Sequence, residues 1–426
     1  MAAFGILTPR GAAFLILGLV TTLAGMVLGY PDTTRIGILL AVLPFLAMLT
    51  ARRRSPQLAV NREVNPSRLA PDQPGTVVTS IQNVGPRRTP LYLGAERVDV
   101  HLGDRPRFVL PPLARGERRL VKFQLRSQTR GAYPLGPVSL RQRDPFGLTY
   151  VAVRLSSSTE VLVLPRVHDL AGPRRRATGR GNEGELPQMV ALHGEDDVSI
   201  RSYRQGDELR RVHWPATAHR GELMVRQEDR PARRRAVLIL DARQVAHGPS
   251  RGTSMSFEYC VSALASVASV LLAQGYVIHL LTPQTLREGT AAAPMTQATA
   301  LDVLARSVRV PDSGFEAIAG VAHSFTAGGV LAVAAVVGRD ADQLRQLAAI
   351  REHGSAAMAF LLDHEAFTGG IPGRPAGAAR GASLGSADPS AILGEAGWSC
   401  ARCGPETPIP DAWDTIQRGR FSAGQR

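Results

Sequence analysis

Residues 236–241 read AVLILD, five apolar residues and then an aspartate. A strand covered on both faces loses the in-out alternation of a half-exposed strand and reads as a continuous apolar run. Its terminal Asp241 then stands at the carboxyl end of the strand, where open parallel sheets place their sites. Downstream, 257–273 carries helical periodicity, and 276–282 reads as the next strand. Helices are expected over 296–308, 315–325 and 340–353, and strands over 329–338 and 355–362. This alternation implies an open α/β sheet with right-handed crossovers, a Rossmann-like domain over 236–426. Within it, 369–394 is rich in Gly, Ala, Ser and Pro and reads as a flexible loop. Trp398 resumes order as an edge strand, and 411–418 reads as a last short helix.

Immediately upstream lies the densest polar stretch of the chain, residues 181–230 within a linker-and-signature segment over 166–235. Asp207 is placed to cap a short helix over 208–214, and Pro215 to open a second one, 215–220, which Gly221 closes. A strand follows over 222–227, and Trp214 is expected to be buried. If one helix carries both Asp207 and His213, six residues turn them about 240° apart, so they do not share a face. Arg210 and Arg211 are better neighbours for Asp207. The polar residues therefore read as a charge network, as a partner-binding face, or as a catalytic set.

From 55 to 165, short β-rich runs alternate with Pro/Gly turns: 76–81, 91–93, 107–110, 120–125, 137–140 and 160–164. That spacing predicts an antiparallel, immunoglobulin-like β-sandwich. In 120–125, Val121, Phe123 and Leu125 oppose Leu120 and Lys122. Residues 130–133 and 144–148 read as turns.

Residues 1–54 form an expected transmembrane helical hairpin. Twenty uncharged residues, 11–30, are long enough to cross a hydrocarbon core of about 30 Å. A polar break at 31–35 separates them from a second apolar run, 36–51, which contains Pro44 and is short unless it recruits that break. Arg10 precedes the first run and Arg52, Arg53 and Arg54 follow the second. The positive-inside rule then places both ends, and all soluble domains, in the cytoplasm at the plasma membrane.

The formal net charge is +14, carried almost wholly by arginine, with Lys122 the only lysine. Anionic lipid head groups suit such a charge; no basic-aromatic interleaving points to nucleic acid. Three cysteines, Cys260, Cys400 and Cys403, are too few for a disulfide framework. Cys400 and Cys403 have metal-knuckle or redox spacing, but zinc needs a second ligand pair and His353 and His364 are only distant candidates for one. No metal and no cofactor is expected.

Tyr203-x-x-Gly206-Asp207-x-x-Arg210-x-x-His213-Trp214-x-x-Thr217-Ala218, then Gly221-Glu222-Leu223 and Val225-Arg226, resembles the family called domain of unknown function 58. Asp144-Pro145-Phe146-Gly147-Leu148 and Arg130-Gly131-x-Tyr133 resemble it too. The resemblance implies a membrane-anchored chain with a von Willebrand factor A-like domain, partnered with a MoxR-type AAA ATPase. Such domains often hold a metal through Asp-x-Ser-x-Ser; here Asp241 remains, but Arg243 and Val245 replace both serines. A cation in place of a ligand opposes metal binding, and Arg243 is placed to neutralise Asp241. Three classes of function follow: a non-enzymatic adaptor, a hydrolase using Asp207, His213 or Glu195, and an envelope-stress sensor. No nucleophile elbow or phosphate loop favours the second.

Overall fold

The computed structural model describes residues 4–52, 56–144, 146–170, 199–203, 212–227, 234–248, 254–311, 315–326, 329–352, 355–368 and 388–423. The chain divides into two compact units, Met1–Arg166 with Leu304–Arg306, and Val167–Val303 with Ser307–Arg426.

In the first unit a short strand, β1 (Phe4–Leu7), leads through Thr8 into α1 (Pro9–Leu28). Thr8 caps the helix, its Oγ1 accepting from Gly11 N at 3.1 Å, and Gly29 ends it in the left-handed region. The return helix α2 (Pro31–Arg52) takes residues 31–35, read as a polar break, into its first turn. Close approach of the two helices requires glycine: a Cβ on Gly18 would collide with the backbone at Ala41, and one on Gly37 with Thr22. Leu19, Leu23, Val27 and Leu39 point outward and are exposed. Pro9–Leu28 and Pro31–Leu49 are each long and apolar enough to cross a membrane.

The rest of the unit is β2 (Leu58–Asn65), β3 (Arg68–Leu69), β4 (Gly75–Asn83), β5 (Tyr92–Glu96), β6 (Arg107–Leu110), β7 (Arg118–Leu125), β8 (Gly131–Leu135), β9 (Val138–Arg143), β10 (Thr149–Leu155) and β11 (Thr159–Val163). They form three sheets, β1-β10-β9-β5-β6, β2-β4-β7 and β3-β11-β8, antiparallel except where β3 meets β11. Alternation along β7 turns Leu125 inward and leaves Leu120 and Lys122 exposed, as the sequence indicates. One apolar cluster (Leu58, Ile81, Tyr92, Leu140, Val153) joins the first two sheets; another (Leu69, Val77, Leu125, Leu135, Val161) joins the last two. Between them on β4 sits Thr79, two residues from Val77 and from Ile81. It faces a fully buried ion pair: Arg62 Nη2 lies 2.9 Å from Glu96 Oε1, and Arg62 Nε donates to the same oxygen at 3.0 Å. Strands β1, β2 and β10 lie outside the runs read from sequence. Residues 130–133, read as a turn, belong mostly to β8, where Gly131 and Pro134 mask the strand signal.

The second unit opens with a two-stranded ribbon, β12 (Ser199–Ser202) and β13 (Met224–Gln227), with α3 (Trp214–Arg220) between them. Val212 bridges to Val225 in the same ribbon and α3 starts only at Trp214, so Val212 and His213 are not helical as expected for 208–214, while 208–211 lie outside the described residues. The α/β layer follows: β14 (Arg235–Leu240), α4 (Gln244–His247), α5 (Met255–Ala273), β15 (Val277–Leu281), α6 (Pro283–Arg287), α7 (Gln297–Arg306), α8 (Phe315–Thr326), β16 (Leu331–Val337), α9 (Ala341–Ala349), β17 (Ala357–Leu362), α10 (His364–Thr368), α11 (Pro389–Glu395), β18 (Ser399–Cys403) and α12 (Ile409–Ala423). Helix α11 occupies the end of the stretch 369–394 expected as a loop, because Asp388 caps it and Leu393 anchors it in the core. The five strands run parallel in the order β15-β14-β16-β17-β18.

Alternate residues of the sheet serve two faces. Val237, Ile239, Ala334 and Leu361 pack with Phe315, Leu344 and Leu393 of α8, α9 and α11. Helices α5 and α12 contribute to the other face, where Phe360 stacks on Trp413 at 6.1 Å. Helix α5 is also long and apolar enough to span a membrane, but 61% of its apolar window is buried inside this domain. Its hydropathy is explained by the sheet it covers.

Candidate functional site at the sheet switch point

The chain leaves β14 toward β15 on one side and returns to β16 on the other. The carboxyl ends of β14 and β16 therefore flank the point where the winding reverses, the usual position of a crevice in this architecture. Asp241 follows β14 there and is fully buried. A buried carboxylate must be paired, and this one is. Arg243 Nε donates to Oδ1 at 2.8 Å and Nη2 to Oδ2 at 2.7 Å. The backbone adds Arg243 N to Oδ1 at 3.2 Å and Val337 N to Oδ2 at 3.3 Å. The guanidinium in turn lies 4.7 Å from the centre of the Phe315 ring. Backbone bonds with Val310 on both sides of Arg243 hold it in place: Val310 N to Ala242 O and Gln244 N to Val310 O. Arg243 thus supplies a positive charge directly to the aspartate.

A second buried group lies beneath. His247 Nε2 is 2.8 Å from the Asp241 carbonyl oxygen, which can only accept, so Nε2 carries a proton. Nδ1 then accepts from Ser256 Oγ at 2.9 Å, while Ser254 Oγ donates to the His247 carbonyl at 3.0 Å. Burial pushes the His247 imidazole below its ordinary range, against the pull of Asp241. Sequence reading missed His247, Ser254 and Ser256; they lie at irregular spacing, and no periodicity or motif marks them.

The family-like signature is partly in view. Glu195, Gly206, Asp207, Arg210 and Arg211 lie outside the described residues. Tyr203 is half-buried, and its N donates to Leu223 O at 2.8 Å. His213 caps α3, with Nδ1 accepting from Ala216 N at 3.2 Å, and its own N donates to Met224 O at 2.8 Å. Thr217 Oγ1 accepts from Met224 N at 3.0 Å, and Gly221 closes the helix with φ 74°. His213, Thr217 and Met224 are thus brought together as a clasp between α3 and β13. Arg226 lies in β13 opposite Ile200. Trp214, expected inside, is 68% exposed. It is the first residue of α3, where the chain has just left the ribbon, and an amphipathic ring there meets solvent.

Cys400 and Cys403 lie three apart on β18, an odd separation that sends their side chains to opposite faces. Burial pushes the Cys400 thiol up to about 12 and that of Cys403 to about 11.

These features define a class: an apolar hairpin, an antiparallel sandwich, and a parallel α/β domain whose switch point holds an internal ion pair. Residues 199–309, from β12 to three residues past α7, match the family described as Protein of unknown function DUF58. No curated protein matches. Among solved structures, the CARDB domain of the PF1109 protein from Pyrococcus furiosus is 16% identical, covering 25% of this chain and 93% of that one, with a TM-score of 0.20. The ApaA protein of Bordetella pertussis is 14% identical, covering 26% and 94%, also with a TM-score of 0.20. At such scores these likenesses add nothing to the fold read from the strands themselves.

Proposed function

We propose that this chain is a membrane-anchored adaptor that works with a MoxR-type AAA ATPase in chaperone-like assembly or cell-envelope and stress processes. In this reading the hairpin spans the plasma membrane, with the arginines beside its ends keeping both soluble units in the cytoplasm. The α/β domain is von Willebrand factor A-like, and the signature segment presents the docking face. The ATPase enters through the resemblance of residues 203–226 to the family.

The observation that carries the reading is Trp214. A large aromatic, 68% exposed at the start of a capped helix, has the character of an interface hot spot. The polar residues around it are committed to structure: His213 Nδ1 caps α3 and Thr217 Oγ1 holds β13. Asp241, the natural acid of the switch point, is neutralised by Arg243. These assignments favour an adaptor over a hydrolase built on the same residues.

The test is affinity purification of the full-length chain from solubilised membranes, with and without ATP, followed by mass spectrometry. Wild type is expected to enrich an AAA ATPase, and Trp214→Ala to lower that enrichment by roughly tenfold or more. Absence of any ATPase from the wild-type sample overturns the reading.

A further inference from the structure

We infer that the end of the β-sandwich from which the hairpin emerges is a docking surface for anionic phospholipid head groups of the bilayer the hairpin crosses. The inference rests on the membrane-spanning reading of α1 and α2.

Strand register defines that end. β1 runs from Phe4 opposite Ala152 to Leu7 opposite Thr149, and Thr8 then starts α1. The α1 end of the sheet therefore coincides with the start of β10. Tyr150 pairs with Arg143, so the same end holds the last residue of β9. Leu93 pairs with Arg141, which brings the start of β5, and Leu91 just before it, to this end as well. The second helix connects here too. β2 begins shortly after α2, its first residue Leu58 pairs with Asn83 at the close of β4, and Val84 N donates to Gln57 O at 3.0 Å.

Apolar tips and arginines interleave on this surface. Phe146 is 65% exposed, Val84 57% and Leu91 52%, while Arg87, Arg88 and Arg143 are exposed beside them in the same loops and strand end. Exposed apolar side chains among arginines, at the root of a membrane hairpin, match the boundary between head groups and acyl chains.

The loops are built, not loose. Asn83 Nδ2 donates to Arg87 O at 2.8 Å and Leu113 O at 3.1 Å, and Asn83 Oδ1 accepts from Gly85 N at 3.0 Å. Asp144 turns its carboxylate inward, where Phe146 N donates to Oδ1 at 2.8 Å and Thr149 N and Oγ1 donate to Oδ2. The loop's acid is thus buried while its Phe146 is presented. Thr8 Oγ1 donates to Gly147 O at 2.7 Å and Thr8 N to Leu148 O at 2.9 Å, so the Phe146 loop is bonded to the first turn of the membrane helix. A Cβ on Gly11 would collide with Leu148 O, which keeps that contact close.

The test is amide hydrogen exchange of the full-length chain in nanodiscs of phosphatidylcholine alone, or with about a third phosphatidylglycerol. Anionic lipid is expected to slow exchange in peptides covering 84–91 and 143–148 by about fivefold, the effect of roughly one cation's attraction to the surface. Peptides of β11 serve as an internal control and stay unchanged. Salt at about 0.5 M is expected to reduce the difference, and R87Q/R88Q/R143Q to remove it with β11 protection intact. Equal exchange in both lipids, with the chain incorporated, overturns the inference and leaves the hairpin reading standing. Failure to incorporate overturns both. Inorganic phosphate giving the same protection in phosphatidylcholine discs overturns a head-group surface in favour of a free-anion site. If R87Q/R88Q/R143Q loses β11 protection, the single variant Phe146→Ser takes its place and is expected to restore fast exchange at 143–148; unchanged protection there overturns the inference.

Discussion

Arg243 grips Asp241 through two parallel hydrogen bonds of 2.8 and 2.7 Å, at a position where the carboxylate is fully buried and the guanidinium nearly so. The pair joins the end of β14 to the segment entering α4. It fixes the switch point from within the chain.

Removing one member leaves the other charged and unpaired in the interior. Arg243→Met is expected to cost about 3–5 kcal/mol, read as a lowered urea midpoint for the α/β unit. The pair Asp241→Asn/Arg243→Met should lose less than Arg243→Met alone, since no buried charge remains. A double variant as unstable as the single one would show that the cost lies in packing against Phe315 and not in the charge.

Stability of the same unit should fall on mild acidification. Burial lowers the imidazole pKa of His247, His279 and His364 alike. A base whose folded pKa lies below its unfolded value, about 6.5, binds fewer protons when folded. Its stabilising effect is therefore complete above that value and is lost as pH falls below it, toward the folded pKa. The limiting slope is about 1.4 kcal/mol per pH unit for each histidine. Urea midpoints between about pH 7.5 and 5.5 check this, with His247→Gln expected to flatten the dependence. An unchanged slope in that variant would remove His247 from the set.

Much of the α/β domain was legible because its strands are buried on both faces. AVLILD at 236–241 and the apolar run over 329–338 have no other easy reading, and the sheet uses both. The sandwich was legible where alternation is clean, as in β7, and illegible where a glycine or proline enters the strand, as at Gly131 and Pro134 of β8. The pairing of β1 with β10 joins residues nearly the whole unit apart, and no local pattern announces it. At the site, the pairing of Asp241 with Arg243 was legible through the resemblance to Asp-x-Ser-x-Ser, where Arg243 takes the place of a serine. Trp214 was misplaced because aromatic content near a helix start suggests burial, while its direction depends on how the helix leaves the ribbon.

Within the sandwich, the Arg62–Glu96 pair separates two apolar clusters and ties β2 to β5. Burial raises the Glu96 pKa, while Arg62 and Thr79 favour its charged form. Arg62 Nη1 also donates to Ser157 Oγ at 2.6 Å, extending the link toward β11. Arg62→Met is expected to destabilise the first unit by about 3–5 kcal/mol, because Glu96 is left without its partner. Arg62→Met/Glu96→Leu should recover part of the loss. Recovery beyond wild type would mean that the ion pair costs stability and serves to set strand register.

The cysteines give a prediction about reactivity. Thiolate, not thiol, attacks disulfide reagents. Cys400 and Cys403 are held as thiols, at about 12 and about 11, and burial raises Cys260 as well. Strand geometry turns Cys400 and Cys403 to opposite faces, so neither can assist the other. All three should therefore resist a thiol-disulfide reagent near neutral pH in the native chain and react together once urea unfolds the domain. A single thiol reacting rapidly in the native state would identify Cys400, the least buried of the three, as open to solvent. Rapid formation of a Cys400–Cys403 disulfide in the native chain would contradict the strand itself, since closing that bond requires β18 to leave the sheet.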